Sequence, residues 1–259
     1  MILAIDIGNS NLVIGAFENE KLKFVARISS NTNKTADELA VMIKSVLENH
    51  GTCYSDISGT IISSVVPYLT QTCSEAIKLL TGKEPFVVGP GIKTGINILI
   101  DNPAQLGSDL LVDSVAASNL YPKPVIIIDM GTATTFSVVD ENNCMIGGAI
   151  MPGLRISVNA LSEKTAQLPH INIEAPKKAI GTNTIDCMKS GVVFGAAAMI
   201  DGMIDRFEEE LGKKCFVVAT GGLAEEVCKH TKHRIEYNKN MILEGLYILY
   251  NKNLKQNNK

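Results

Sequence analysis

The stretch Ile5-Asp6-Ile7-Gly8-Asn9-Ser10-Asn11 returns in kind at Ile128-Asp129-Met130-Gly131-Thr132-Ala133-Thr134-Thr135. Each copy reads as a β-branched strand, an aspartate, one apolar residue, a glycine, small polar residues and a second strand. That second strand is Leu12 to Phe17 in the first copy and Phe136 to Val139 in the second. The aspartates stand at positions 6 and 129 of a 259-residue chain, near the start of each half. Internal self-similarity at this spacing marks a duplicated unit and constrains the fold more than local propensity does. The expectation is an α/β protein of two related lobes, each a mixed β-sheet flanked by helices, with a cleft between them.

The chemistry of the repeated stretch points to phosphate and metal. A tight strand–glycine–strand turn presents several backbone N–H groups in a concave nest that suits phosphate oxygens. Glycine permits the close approach of a ligand to that backbone. Ser10, Thr132, Thr134 and Thr135 offer hydroxyl donors, and the carboxylates of Asp6 and Asp129 suit a hard cation such as Mg²⁺. One copy alone would better fit an ordinary Asp-Gly hairpin turn. Two copies at matching places favour a shared anion site.

Composition excludes several classes. The 24 basic and 27 acidic residues give a net charge of −3, without the basic face that a nucleic-acid partner requires. Lys229 to Arg234 reads as a solvated helix end leading into a strand. The six cysteines contain no Cys-x-x-Cys pair, so neither zinc spacing nor a disulfide framework is expected. The four scattered histidines, at 50, 170, 230 and 233, suggest no metal centre. The first apolar run ends at Asp6 without a charged leader, unlike a signal peptide. The apolar stretch 191–200 is too short to span a bilayer. A soluble cytoplasmic protein with no membrane partner follows.

Along the chain, 2–7, 12–17 and 22–28 predict a meander, and Thr35-Ala36-Asp37-Glu38 a capping box opening a helix that stops before Gly51. Thr60 to Val66 is expected as a buried strand closed by Pro67, and 70–80 as a helix ended by Gly82. Residues 89–102 read as glycine-rich loop or edge structure over the cleft. A helix is expected from Ser108, as N-cap, to about Leu120. Tyr121-Pro122-Lys123-Pro124 marks the expected boundary between domains 1–120 and 121–259. The second half repeats the meander at 125–129, 135–140 and 145–150. Helices follow at 153–161 and 184–211, then a strand at 216–219 and a short helix to about Lys229. A last helix near 240–250 should turn Ile242, Leu246 and Leu249 inward, before a polar, frayed tail from Lys252 to Lys259.

The paired Asp-x-Gly hairpins resemble those of the acetate kinase, sugar kinase, Hsp70 and actin superfamily, whose lobes are actin/ribonuclease H-like. Val217-Val218-Ala219-Thr220-Gly221-Gly222-Leu223-Ala224 resembles that group's adenosine-side loop. Further stretches narrow the resemblance to type III pantothenate kinases. They are Gly89-Pro90-Gly91-Ile92-Lys93-Thr94-Gly95, Asp101-Asn102-Pro103, Gly107-Ser108-Asp109, Pro152-Gly153-Leu154, Thr165-Ala166-Gln167-Leu168-Pro169 and Gly181-Thr182-Asn183-Thr184. The resemblance implies an ATP-dependent kinase acting on the primary hydroxyl of pantothenate, the first step towards coenzyme A.

Carried over by residue, it implies that Asp6, Ile7, Gly8, Asn9, Ser10, Asn11, Leu12 and Val13 hold ATP phosphates and Mg²⁺. Thr132, Gly221 and Gly222 would also face ATP. Asp129 would bind a monovalent cation, K⁺ or NH₄⁺. Ile100, Gly107, Ser108, Asp109, Leu110 and Thr184 would take substrate positions, with Asp109 accepting the proton of the attacking hydroxyl, a contribution of ~10²–10⁴-fold. On residue chemistry alone, Asp109 better fits a helix-start aspartate that complements the dipole, and only the resemblance favours the catalytic role. The family implies a homodimer, and the 184–211 helix is the candidate packing element; packing within its own chain is the other reading.

Two positions depart from the family pattern. Leu110 stands where an arginine is usual, and Ile100 where a tyrosine is usual. An arginine there could fork onto a carboxylate, so a divergent paralogue with another small alcohol substrate stays open. So does a nucleotide-binding regulatory protein without turnover.

Overall fold

The computed structural model describes residues 1–31 and 33–257, with side chains to Leu254; the end of the expected polar tail lies outside them. The chain forms two compact units. The first contains β1 (Ile2–Ile7), β2 (Asn11–Glu18), β3 (Lys21–Ser29), α1 (Ala36–Asn49), β4 (Gly59–Ser64), α2 (Pro67–Thr81) and β5 (Phe86–Val87). After these come the two-residue β6 (Asn97–Ile98), which belongs to the second unit, and α3 (Ser108–Leu120), which starts in the first. The second unit continues with β7 (Val125–Met130), β8 (Ala133–Val139), β9 (Cys144–Pro152), α4 (Leu154–Lys164), α5 (Thr184–Leu211), β10 (Phe216–Thr220), α6 (Ala224–Cys228) and β11 (Glu236–Tyr237). The last helix, α7 (Met241–Asn257), returns to the first unit. The units are therefore not two consecutive segments: by contact, the division falls inside α3, after Ala116, and the chain crosses back at Met241.

The sheets repeat one topology. The first runs β3-β2-β1-β4-β5 and the second β11-β10-β7-β8-β9-β6. Without β6, the second order is the first, element for element. In each, a three-stranded antiparallel meander is extended by strands parallel to its first member. β6 adds a parallel edge beside β9, so the loop expected at 89–102 contributes edge structure.

Physics explains the layers. β1 and β7 are apolar but for their aspartates, and β4 is small and apolar; all three are buried along most of their length, as strands covered on both faces are. One face of the first sheet packs Leu3, Ile5, Ile7, Leu12 and Ile14 against Leu39, Ile43 and Leu47 of α1 and Leu69, Cys73 and Ile77 of α2. α7 lies against β1 and β4 and buries Met241, Leu243, Leu246 and Leu249. Ile242, expected inward, is half-buried because Leu243 takes the inner position. In the second unit, Ile126, Ile128 and Phe136 pack on the Val193, Ala197, Ile200 and Ile204 stripe of α5. α5 is long and apolar enough to cross a membrane by length and composition, which the shorter window 191–200 had concealed. Its Val192–Ile204 stripe is spent on this core.

Helix ends follow the local chemistry. Thr35 and Glu38 form the reciprocal capping box: the Glu38 N–H donates to Thr35 Oγ1 at 3.3 Å, and the Thr35 N–H to Glu38 Oε2 at 2.8 Å. Pro67 does not close a strand; it occupies the first turn of α2, where its missing N–H would be unpaired anyway. Burial pushes the Cys73 thiol up to about 12, as expected for a reduced core cysteine.

Candidate active site

In the first hairpin Asp6 is half-buried between the fully buried Ile5 and Ile7. Ile7 and Leu12 are core side chains, so these positions can offer a ligand only their backbone. Asn9, Ser10 and Asn11 are exposed on the turn. The Gly8 N–H donates to the Asn11 carbonyl at 2.9 Å. Ser30, just past β3, braces the same turn: its hydroxyl donates to the Gly8 carbonyl at 2.6 Å and its N–H to the Ser10 carbonyl at 3.1 Å. Three turn carbonyls are thereby drawn into internal bonds, which removes the groups that would repel an anion. Sequence reasoning missed Ser30. Its signal was register: Asn11 pairs with Ser29, which puts the next residue beside the turn.

The second hairpin places Asp129 as the one half-buried residue of an otherwise buried β7. Gly131 N–H donates to the Ala133 carbonyl at 3.0 Å, and Gly153 N–H to Thr132 at 3.2 Å. Gly221, at φ +95°, lies directly on this hairpin: a Cβ there would stand 2.7 Å from Asp129 Oδ1 and 2.6 Å from the Met130 carbonyl. The Tyr237 hydroxyl donates to the Gly221 carbonyl at 3.4 Å. Thr132 is exposed, as a phosphate donor must be. Thr134 is 1% exposed and faces the core, so it leaves the set of candidate phosphate donors. A carboxylate flanked by the backbones of Gly131 and Gly221 is a hard-oxygen environment and fits an alkali or alkaline-earth cation.

Asp109 sits in the first turn of α3 and is half-buried. Its Oδ1 accepts the Leu110 N–H at 2.8 Å. The carboxylate folds back over Gly107, where a Cβ would come within 2.5 Å of Oδ1. Ser108 is not the N-cap but the first helical residue, since Leu111 N–H already donates to the Gly107 carbonyl at 3.1 Å. Its hydroxyl turns the other way: it donates to the Ser64 carbonyl at 2.8 Å and accepts from Ser63 Oγ at 3.1 Å and Ser64 N–H at 3.2 Å. Leu110 and Ile100 are both half-buried, and no ion pair reaches Asp109 among the described residues.

Thr184 is exposed at the start of α5, which Asn183 caps by accepting the Asp186 N–H at 2.9 Å. With Leu168, Gly181, Thr182, Cys187 and Met188 it lines a cavity of about 580 Å³. Neither hairpin contributes to that lining. Elsewhere in this unit, Asp205, Glu208 and His233 gather their ligand atoms within 4.8 Å, which the scattered histidines had not suggested. Glu208 is already engaged there by Lys214 and by the Cys215 N–H at 2.9 Å.

The duplicated sheet, each copy with its acidic hairpin, is a fold that solved structures share. A ROK hexokinase from Thermus thermophilus superposes with a TM-score of 0.52 at 10% identity, over 97% of this chain and 99% of its own. A Baf family protein from Campylobacter jejuni, described as a transcriptional activator, gives a TM-score of 0.61 at 20% identity over 98% of this chain and 99% of its own. Within that fold the sequence is specific: the type III pantothenate kinase family pattern matches residues 2–206. A type III pantothenate kinase from Moorella thermoacetica is 41% identical over 98% of this chain and its own full length. The chain belongs to the type III pantothenate kinase family.

Proposed function

We propose that this protein transfers the γ-phosphoryl group of ATP to the primary hydroxyl of pantothenate, giving 4'-phosphopantothenate and ADP and opening coenzyme A synthesis. Family membership over the whole chain is the observation that carries the reaction. The turn Asn9 to Asn11 receives phosphate oxygens on its N–H groups and, with Asp6, would hold the accompanying Mg²⁺. Thr132 donates to the same nucleotide from the second hairpin, and Gly221-Gly222 pass beside its adenosine. A metal held at Asp6 would supply positive charge against the phosphate oxygens. Asp129 holds K⁺ or NH₄⁺. Asp109 orients the attacking hydroxyl and takes its proton as the new O–P bond forms and ADP leaves. The Thr184 cavity receives part of the acid substrate, the exposed side of α5 packs against a second copy in a homodimer, and the protein works in the cytoplasm.

A second reading rests on Leu110 and Ile100, apolar and half-buried where the family usually carries arginine and tyrosine. Without those donors, a less anionic alcohol becomes the preferred acceptor. ADP release with pantothenate and K⁺ separates the readings. Turnover in the wild type that Asp109→Asn abolishes supports the first. A silent wild type that the Leu110→Arg/Ile100→Tyr variant awakens supports the second. ATP binding with no turnover on any small alcohol contradicts both and leaves a regulatory nucleotide binder.

A further inference from the structure

We infer that Ser108 and Ser63 are positioning residues that set the Asp109 carboxylate against the first phosphate hairpin, rather than contacts to substrate; this rests on the reading of Asp109 as proton acceptor. A serine hydroxyl has one donor and two acceptor sites. All three of Ser108's are used inside the protein: the donor on the Ser64 carbonyl, the acceptors by Ser63 Oγ and the Ser64 N–H. That hydroxyl has no capacity left for a substrate atom. The partners are stiff. Ser63 is fully buried at 0% exposure in β4, and Ser64 and Val66 close a local turn through Ser64 Oγ, which accepts the Val66 N–H at 3.0 Å.

The same turn is tied to the nucleotide side. The Val65 N–H donates to the carbonyl of Ile7, the residue before Gly8, at 3.1 Å. A continuous run of hydrogen bonds therefore leads from the hairpin's last β1 residue, through 64–65, to Ser108 Oγ and the residue that precedes Asp109. Gly107 completes the arrangement from below, since only the missing Cβ lets the carboxylate fold back at that distance. The helix start is held on one side by Ser108 and kept clear on the other by Gly107. The network thus fixes the distance between a proton acceptor and the phosphates it serves, a quantity to which transfer rates are steep: misplacement by about 1 Å can cost ~10²-fold.

The test is steady-state ADP release by the full-length protein with ATP, Mg²⁺, K⁺ and pantothenate. The variants are Ser108→Ala, Ser108→Thr, Ser63→Ala and Asp109→Asn, with Ser108→Ala also placed on Asp109→Asn. Ser108→Ala is expected to lower kcat about tenfold or more while KM for ATP and pantothenate stays within about twofold. Ser63→Ala should lower kcat less, because the two backbone bonds to Ser108 remain. Ser108→Thr, which keeps the hydroxyl, should recover most of the rate. On Asp109→Asn the serine change should cost little more, because the group it positions is gone. A Ser108→Ala enzyme with normal kcat, or with raised pantothenate KM alone, overturns the inference while Asp109→Asn still loses activity. If Ser108→Ala lacks a native unfolding transition, Ser63→Ala decides: a lowered kcat at unchanged KM supports the inference, and a normal kcat overturns it. Asp109→Asn with full activity instead sinks the underlying assignment of the proton acceptor.

Discussion

The β1–β2 hairpin turns through Gly8 to Asn11 between the paired Ile7 and Leu12, whereas β7–β8 turns through only Gly131 to Ala133 between Met130 and Thr134. The flanking strands, their order and the place of the aspartate are the same. What differs is the support. The longer turn is held from its side by the Ser30 hydroxyl and backbone. The shorter one is pressed by other backbones, Gly153 against Thr132 and Gly221 against Asp129. Duplication thus conserved the strand frame and let the turns specialise: one polar and braced by hydrogen bonds, the other compact and set by steric fit. Steric fit should tolerate change less well than hydrogen bonding.

The largest effect is expected at the tightest contact. Gly221→Ala introduces a Cβ 2.6 Å from Met130 backbone at a left-handed φ, and should weaken ATP binding at least ~30-fold, or about 2 kcal/mol. Gly8→Ala, whose Cβ would meet only the Asn11 carbonyl at 3.4 Å, should change it less than about threefold, or about 0.6 kcal/mol. Titration calorimetry with ATP on the two variants checks the pair, and equal losses would break the comparison. Next comes the brace. Ser30→Ala removes one hydroxyl bond and should raise the ATP KM about fivefold, near 1 kcal/mol. Tyr237→Phe, losing a longer 3.4 Å bond, should raise it about twofold. A reversed order in the two KM values would mean that the second hairpin, not the first, depends on side-chain bracing.

Thiol labelling reaches a third region. Cys187, exposed in the Thr184 cavity, should react with a maleimide and be protected by pantothenate; buried Cys73 should stay silent until unfolding. Unchanged Cys187 labelling at saturating pantothenate would remove that cavity from the substrate's path. The smallest effect concerns stability. Burial alone would raise the Glu208 carboxyl, but hydrogen bonds from Lys214 and the Cys215 N–H outweigh it and leave it below the ordinary 4.5. A carboxyl depressed on folding adds stability above its unfolded value, and that gain fades as pH falls through the folded one. Thermal unfolding should therefore show wild type exceeding Glu208→Gln at neutral pH, with the gap closing in acid below about 4.5. A gap independent of pH would contradict the assignment.

Much of this was legible in the residues. β-branched runs ending in Asp-x-Gly gave both hairpins, because period and turn chemistry act locally. Thr35 with Glu38 announced α1, and Gly212 ended α5 as expected. Pro67 misled, since proline stops a strand and starts a helix with the same missing N–H. Non-local facts stayed hidden. That α7 closes the first unit depends on contacts across most of the chain. That Thr134 faces inward while Thr132 faces outward depends on the register of a turn one residue shorter than its twin. The bonds of the Ser108 hydroxyl to β4 were equally hidden, because they join residues more than forty positions apart in the chain.

The shared-nucleotide claim is tested most directly by a double-mutant cycle on Asp6 and Asp129, read as ATP-dependent ADP release. Groups serving one bound triphosphate should be coupled: Asp6→Asn and Asp129→Asn together should cost at least about fivefold less than the product of their separate losses. Losses that multiply without coupling would show two independent sites and contradict the account.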